Sequence, residues 1–320
     1  MRIYLYNKII KYGGPSRFQE KLLSLIKDEV LLIKYNKNYK IKKKDIIFTT
    51  GTFKFLSFIK NKIIFRVDGF LWHNKYLKNA GLLKYLYEKI YNLNIIILLN
   101  LSSIIIFQSR FVKKIWSKYL IYKKKFYIIY NCNNIQYFKK KTYSKKKIIC
   151  VEGNFDGAFN SFHHLRAIND YEVELYGNYS NNFRKKLISK ENIIFKGHIL
   201  PARLQEKFNK KNIIFFSLEL YPACSNSVIE AMSYGIPVVG FKTGCMNEFF
   251  DKKYKYLIDH NINQCSNFAC LNNINLDSIF REIFMNYNAI SKNIYLLSKK
   301  FHPDDFKKKY LKVFNLVNEK

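Results

Sequence analysis

The sequence predicts an α/β protein built from two doubly wound domains. Its 320 residues are enough for two domains of ordinary size, each with its own core. Short runs rich in β-branched and aromatic residues alternate with longer helical stretches, which is typical of parallel α/β units. The alternation lapses between residues 131 and 147, where NCNN precedes two lysine triplets. We therefore expect one doubly wound domain on each side of this break.

The first half contains five predicted strands. They are Arg2 to Tyr6, Asp45 to Phe48, Ile63 to Val67, Ile104 to Gln108 and Tyr127 to Tyr130. Between them, Phe18 to Ile26 and Leu82 to Ile90 have the spacing of helices. The apolar window Asn92 to Phe107 contains Asn and Ser and falls short of the about 20 apolar residues that span a bilayer. We interpret it as the end of a buried helix followed by a buried strand, within a domain of residues 1–131.

The second half repeats the pattern after a linker at residues 132–147. Its predicted strands are Ile148 to Val151, Glu172 to Tyr176, Ile194 to Phe195, Ile213 to Ser217 and Pro237 to Phe241. Its predicted helices are Phe162 to Asn169, Pro201 to Asn209 and Val228 to Tyr234. These elements predict a second domain over residues 148–300. The amphipathic spacing of Asp304 to Val317 predicts a closing helix within residues 301–320.

The formal charge of +33 attracts polyanions such as nucleic acid or an anionic membrane surface. Lys, Asn, Ile, Tyr and Phe are enriched together, and their A- and T-rich codons point to genome composition as a source of much of the lysine. The lysine triplets are also scattered between apolar segments. Peripheral contact with an anionic membrane stays open as a prediction. Nucleic-acid binding is the weaker alternative, because the sequence contains no recognised nucleic-acid motif.

Cysteine and histidine spacing predicts neither structural disulfides nor a metal site. The six Cys include no C-x-x-C pair, and the six His have no partner spacing for zinc. The first ten residues, MRIYLYNKII, lack the continuous apolar stretch of a signal peptide. We expect a reduced, cytoplasmic protein, peripheral to a membrane if the charge serves that purpose, with no metal and no cofactor.

The segment PACSNSVIEAMSYGIPVVG has the strongest chemical pattern. Its anion-binding candidates are the first residues of a helix predicted after a strand, namely Ser225, Asn226, Ser227 and Val228. Free backbone N–H groups and the helix dipole bind anions such as a diphosphate at such a position. Glu230, one turn further, can accept hydrogen bonds from two ribose hydroxyls. Ser227-x-x-Glu230 is also the pattern of a capping box, so a purely structural role stays open.

This segment resembles the family-4 retaining glycosyltransferases of GT-B fold, whose carboxyl-terminal domains carry a glutamate, a small residue, a helix, a Gly and a Pro-Val-Val strand. The matching residues are Glu230, Ala231, Met232, Gly235, Pro237, Val238 and Val239. NIIFKG upstream and GCMNE downstream also occupy the family's positions. The resemblance implies two Rossmann-like domains facing across a cleft. It also implies metal-free, retaining transfer of a sugar from a nucleotide-sugar to a glycan, lipid or other acceptor.

The resemblance suggests further site residues in both halves. Gly13 and Gly14 follow the first strand, where glycines let the backbone approach a donor closely, although a plain tight turn is the alternative. Gly153 and Asn154 lie in the first loop of the second domain and are expected near the donor phosphates. Asp68 ends a strand where relatives carry His-Gly or Asp-Gly, so we expect it to position the acceptor. A turn-forming role is the alternative.

The sequence departs from the family pattern at two places. The family has a second acidic residue eight positions before Glu230, where this chain has Pro222. Glu219 is the nearest acid and is the second predicted catalytic carboxylate. The family's basic pair is replaced by Asn154 and Asp156. These departures leave open a catalytically inactive subunit that binds a glycan or a partner.

Overall fold

The protein, described here from a computed structural model, consists of two units of parallel sheet and helices. The structure describes residues 2–7, 14–36, 38–50, 61–68, 82–134, 145–155, 161–210, 212–259 and 274–318. The first unit comprises Met1–Asn131 and Pro303–Lys320, and the second comprises Cys132–His302. The predicted linker falls for the most part on residues 135–144, which lie outside the described residues.

The first unit contains a parallel sheet of six strands among the described residues. The strands are β1 (Arg2–Leu5), β2 (Leu31–Ile33), β3 (Ile46–Thr49), β4 (Ile63–Val67), β5 (Ile104–Phe107) and β6 (Phe126–Ile128). Their order is β2-β1-β3-β4-β5-β6. The central strands β3, β4 and β5 are buried along their whole length. Burial on both faces explains why they are almost continuously apolar instead of alternating, with Thr49 and Arg66 as the exceptions.

Helices in the first half of the chain connect these strands. They are α1 (Gly14–Ile26), α2 (Leu82–Leu101) and α3 (Arg110–Trp116). Ser109 caps α3, because its Oγ accepts a hydrogen bond from Val112 N at 3.2 Å. In α2, Ile95, Leu98 and Leu99 are buried against the unit's core.

The second unit also contains a parallel six-stranded sheet. Its strands are β7 (Lys147–Asn154), β8 (Glu172–Asn178), β9 (Ile193–Gly197), β10 (Ile213–Phe216), β11 (Val238–Phe241) and β12 (Leu257–Ile258). Their order is β12-β11-β10-β7-β8-β9. From β7 the chain continues to β8 and β9 on one side of the sheet's centre, and from β10 it continues to β11 and β12 on the other side. The strand order therefore reverses between β7 and β10, as it does in Rossmann folds.

Helices flank this second sheet. They are α4 (Ser161–Arg166), α5 (Asn181–Leu187), α6 (Pro201–Phe208), α7 (Asn226–Ser233), α8 (Met246–Phe249), α9 (Leu276–Met285) and α10 (Tyr287–Ser298). Ser291 Oγ of α10 donates a hydrogen bond to Gly235 O at 2.5 Å, which ties α10 to the end of α7.

The next helix, α11 (Pro303–Asn318), returns to the first unit. Its Phe306 and Tyr310 rings lie 5.9 and 5.7 Å from the ring of Phe18 in α1. Phe314 lies 6.1 Å from Phe48 of β3. These buried aromatic contacts make α11 part of the first unit's core.

The predicted fold class is confirmed, whereas several predicted elements need correction. The strands β2 and β12 were absent from the prediction, because three and two residues are too few to show a pattern. The window Asn92 to Phe107 contains the end of a helix, at Leu101, followed by a buried strand, as predicted, but the outer side of that helix is exposed instead of buried. The helices α3, α5, α8, α9 and α10 were also absent from the prediction. Among the described residues, no helix combines the length and the hydropathy that crossing a bilayer requires.

Candidate active site

The strand order of the second sheet reverses between β7 and β10, and open α/β sheets bind ligands at the carboxyl ends of the strands at such a reversal. Consecutive connections leave these two strands in opposite directions, so a crevice opens where they diverge. Two segments border it. The first is residues 152–154 at the end of β7, and the second is residues 217–230 after β10. We call these two segments the reversal site.

Helix α7 begins at the reversal site without a side-chain cap. Its N-cap residue is Ser225, whose side chain makes no capping hydrogen bond. The Oγ atoms of Ser225 and Ser227 lie 3.2 Å apart. The backbone N–H groups of Asn226, Ser227 and Val228 form the first helical turn, where N–H groups have no partner within the helix. Together with the helix dipole they form an anion-binding position.

The capping-box interpretation of Ser227 and Glu230 is wrong. A capping box needs the serine at the N-cap and the glutamate at the third helical position. The helix starts at Asn226, so Ser227 is its second residue and Glu230 its fifth. Glu230 is half-buried, one turn into the helix. Its side chain is therefore not required for capping the first turn.

The matched glycine after α7 has a defined backbone role. Gly235 has a φ of 64°, in the left-handed region that glycine adopts without strain. Its N–H donates to Met232 O at 2.8 Å, and Ile236 N donates to Ala231 O at 3.0 Å. These bonds end the helix in the manner of a Schellman motif and direct the chain into β11.

A second glycine explains what Pro222 does in this chain. Gly244 has a φ of 57°, and a Cβ atom built on it would lie 2.6 Å from both the N and the O atoms of Pro222. The neighbouring Cys245 N donates to Pro222 O at 2.9 Å. The GCMNE segment therefore packs directly on the loop before α7. Pro222 holds this contact through its backbone and supplies no carboxylate.

The structure adds a carboxylate that the sequence analysis missed. Glu152 lies at the end of β7, half-buried, and its Oε1 accepts a hydrogen bond from Leu218 N at 3.1 Å. Desolvation, followed by the nearby charge of Glu219, raises the pKa of Glu152 to about 8, although the bond from Leu218 opposes the shift. The sequence feature that could have pointed to Glu152 is its position at the end of a predicted strand, directly before Gly153.

Glu219 follows β10 and forms a carboxylate pair with Glu152. Its side chain is exposed, yet surrounding protein atoms desolvate the carboxylate and raise its pKa to about 7. Water still reaches Glu219, so screening weakens its contribution to stability. At neutral pH the pair therefore retains a proton, which two ordinary glutamates would not.

Gly153 and Asn154 are exposed at the end of β7. A Cβ atom built on Gly153 would meet no atom within 4 Å, so the protein leaves open space there. Asn154 pairs with Asn178 of β8. Thus the structure places both residues at the reversal site, together with Glu219, Glu230 and the start of α7.

The first unit contains the other predicted site residues. Gly14 is the first residue of α1, whereas Gly13 lies outside the described residues. Asp68 follows β4 and forms an ion pair with the buried Arg66. Gln108 Nε2 donates to Asp68 Oδ1 at 2.8 Å. Asp68 therefore belongs to a buried polar network with Arg66 and Gln108.

The Arg66 guanidinium stabilises this network from the core. It lies 3.7 Å from the centroid of the Phe18 ring and donates to Asn131 Oδ1 at 2.5 Å. Asp68 Oδ2 is buried and has no hydrogen-bond partner in the part of the chain that the structure describes. The network holds the Asp68 carboxylate in one orientation and leaves one oxygen for another donor.

Comparison with known proteins bears on both units. Residues 151–268 match the family described as Glycosyl transferases group 1. No match was found among curated protein sequences. Solved structures with similar folds include the pneumococcal O-GlcNAc transferase GtfA in complex with UDP and GlcNAc. It is 13% identical with a TM-score of 0.62, over 87% of this chain and 57% of GtfA.

Two further structures match over almost the whole of both chains. Sucrose-phosphate synthase from Thermosynechococcus elongatus is 10% identical with a TM-score of 0.71, over 99% of this chain and 98% of that one. HepE from Anabaena, in complex with UDP and glucose, is 11% identical with a TM-score of 0.69, over 98% and 99%. At these identities the structural matches show the fold alone. Residues 151–268 therefore resemble the glycosyl transferases group 1 family, and the two units have the GT-B fold of these glycosyltransferases.

Proposed function

We propose that this protein is a glycosyltransferase that moves a sugar from a UDP-sugar to a glycan, lipid or other acceptor, with retention of anomeric configuration and without a metal ion. The donor binds at the reversal site. The observation that carries this proposal is the uncapped start of α7, with Glu230 one turn further along the same helix. The complexes of GtfA and HepE, which contain UDP, support the choice of nucleotide.

The start of α7 is suited to the donor diphosphate. The N–H groups of Asn226, Ser227 and Val228 donate to phosphate oxygens, and the hydroxyls of Ser225 and Ser227 add two donors. Negative charge develops on the diphosphate as the sugar departs through an oxocarbenium-like state. Oriented N–H groups and the helix dipole stabilise that charge. Glu230 accepts hydrogen bonds from the two ribose hydroxyls.

The carboxylate pair is assigned to the donor sugar. Glu152 and Glu219 border the same crevice as α7, and their raised pKa values leave a proton on the pair at neutral pH. The retained proton reduces repulsion of the diphosphate. It also lets one carboxyl group donate to a sugar hydroxyl while the other accepts from one. In this assignment Glu152 and Glu219 replace the family acid that is missing at Pro222.

In the first unit, Asp68 is assigned to the acceptor. Its Oδ1 atom is engaged by Arg66 and Gln108, and Oδ2 is left to accept a hydrogen bond from an acceptor hydroxyl. Gly14, at the start of α1, keeps its assignment as a residue that the donor approaches closely.

The test of this function is UDP binding by the Glu230→Gln variant. Gln has the shape of Glu but lacks the charge, so the hydrogen bonds to the ribose lose their charge assistance. We expect a loss of roughly 1.5–3 kcal/mol, or about ten- to a hundredfold in affinity. Calorimetric titration with UDP in the presence of EDTA measures this loss and checks metal independence in the same experiment.

Glu206→Gln provides the matched control. Glu206 is exposed on α6 in the same unit, so its variant undergoes the same change of charge away from the reversal site. It should bind UDP as the parent does. Equal affinities for Glu230→Gln and Glu206→Gln would remove the ribose assignment. UDP release from UDP-glucose and UDP-GlcNAc by the parent then measures turnover, and no release would contradict the proposed donor class.

A further inference from the structure

The outer side of α2 is covered by large apolar side chains. Their exposed fractions reach 85% at Leu83 and 60% at Ile90. The others in this row are Leu86, Tyr87, Leu93 and Leu101. At 100° per residue they fall within an arc of about 120° along the whole helix. Apolar side chains exposed in a continuous row mark an interaction surface.

The apolar surface continues on the chain that follows α3. Asn100 Nδ2 donates to Tyr119 O at 3.0 Å, and Ile121 N donates to Asn100 Oδ1 at 2.9 Å. Residues 119–122 therefore lie beside the end of α2. Ile121 and Tyr122 are 71% and 72% exposed. We call the apolar row of α2 and residues 119–122 the outer face.

Positive charge accompanies the outer face. Lys118, Lys123 and Lys125 are exposed on the same segment as residues 119–122, and Lys124 Nζ bonds Ser102 O at 3.0 Å, next to the end of α2. From residue 82 to residue 126 the sequence contains nine Lys or Arg residues and one acid, Glu88. Glu88 is buried, so the exposed charge around the outer face is positive.

We infer that the outer face docks on the surface of an anionic lipid bilayer. Its apolar side chains enter the interfacial region, and the neighbouring lysines contact anionic headgroups while their stems cover apolar surface. Stable attachment to a bilayer takes two signals, and apolar insertion together with a basic cluster supplies both. This location goes beyond the proposed function and does not depend on it.

The charge of the outer face favours an anionic bilayer over a second copy of the chain or nucleic acid as its partner. A second copy of the chain would bring two positive surfaces together, which opposes self-association through this face. Nucleic acid would meet the lysines but would leave the apolar row without a partner. An anionic bilayer satisfies both features at once.

Sedimentation with lipid vesicles tests the inference. The purified protein should sediment with vesicles of phosphatidylcholine mixed with phosphatidylglycerol, and only weakly with phosphatidylcholine alone. Raising the salt concentration should reduce binding, because salt screens the attraction of lysines to the headgroups. Equal binding to both vesicle types, or no binding to either, would overturn the inference.

Variants locate the contact on the outer face. Leu83→Gln combined with Ile90→Gln should weaken partitioning at least tenfold, since two of the most exposed apolar side chains are lost. Lys123→Gln combined with Lys125→Gln should weaken it about fivefold per lysine. The control is Ile188→Gln combined with Met285→Gln. Both residues are 75% exposed, on the second unit. Circular dichroism identical to the parent's excludes misfolding.

Two results for the Leu83 and Ile90 double variant would contradict the inference. In the first, the variant binds anionic vesicles as tightly as the parent does. In the second, the parent is a dimer in the absence of vesicles and the variant is a monomer, which would mean that the outer face binds a second copy of the chain. Analytical ultracentrifugation distinguishes this second case.

Discussion

Glu152 is a residue whose acid–base chemistry its surroundings change strongly. Burial and the charge of Glu219 raise its pKa to about 8, so it holds a proton at neutral pH. The unfolded chain releases this proton near pH 4.5, the ordinary value of a glutamate. Between these two values the folded protein binds more protons than the unfolded chain, so stability falls as the pH rises.

We predict that Glu152→Gln makes the stability of the second unit less dependent on pH. In the parent, Glu152 lowers the free energy of unfolding by up to about 1.4 kcal/mol per pH unit between its two pKa values. Gln cannot titrate, so the fall from pH 5 to pH 8 should become shallower. Urea unfolding at a series of pH values measures the slope. Glu206→Gln should keep the parent's slope, and identical slopes for all three proteins would contradict the pKa assignment.

At the residue scale, the sequence predicted the part of the candidate site that lies within one short segment. Ser225 and Glu230 were predicted because a strand, a loop and a helix start follow one another within one short segment. Glu152 was missed because its partner, Leu218, lies in the loop after a different strand, β10. Its raised pKa depends on burial and on Glu219, neither of which can be read from neighbouring residues.

At the element scale, the packing of the GCMNE segment on the loop before α7 can be tested with two glycines. Gly244→Ala forces a side chain into a positive φ and into the backbone of Pro222. We expect a loss of roughly 2–4 kcal/mol. Gly153→Ala meets open space and should stay within about 0.5 kcal/mol of the parent. Thermal unfolding compares the two variants.

Donor binding separates the roles of the same glycines. If the donor approaches the backbone at Gly153 closely, Gly153→Ala should weaken UDP-sugar binding although its stability is unchanged. Equal melting temperatures for the two variants would contradict the close contact between Gly244 and Pro222.

The elements that sequence reasoning predicted are the ones with a clear period or a continuous apolar run. The strands β3, β4 and β5 are buried and mostly apolar, so their positions were predicted nearly correctly. The sequence predicted that a helix ends and a strand begins within Asn92 to Phe107 but did not give the junction, which the structure places between Leu101 and Ile104. The second half of α2, NLNIIILLNL, is rich in isoleucine, which also suits strands, and only packing decides between the two.

At the scale of the whole molecule, α11 connects distant parts of the chain. Phe306→Ala combined with Phe314→Ala removes two buried rings from the first unit, at a cost of about 3–5 kcal/mol each. We predict that hydrogen exchange accelerates in α1 and β3, while α7 and β10 keep their protection. Lys308→Ala combined with Lys309→Ala, on the exposed side of α11, is the control. Faster exchange in α7 alone would contradict the assignment of α11 to the first unit.

The predicted fold class depended on the alternation of strands and helices, which is repeated along the chain and tolerates errors in single elements. The closing helix was predicted from its own amphipathic spacing. The unit it joins was not predicted, because that depends on contacts such as Phe18 with Phe306, which no local pattern encodes.

The return of α11 also affects the order in which the molecule can fold while it is being synthesised. Domains usually fold as the ribosome releases them, starting from the amino terminus. Here Phe18 cannot contact Phe306 until that residue, about 290 positions later, has been synthesised, and such long-range contacts form slowly. All residues of the second unit leave the ribosome before α11 does. The nascent chain can therefore complete its second unit first, while Phe18 and Phe48 still lack the helix that covers them.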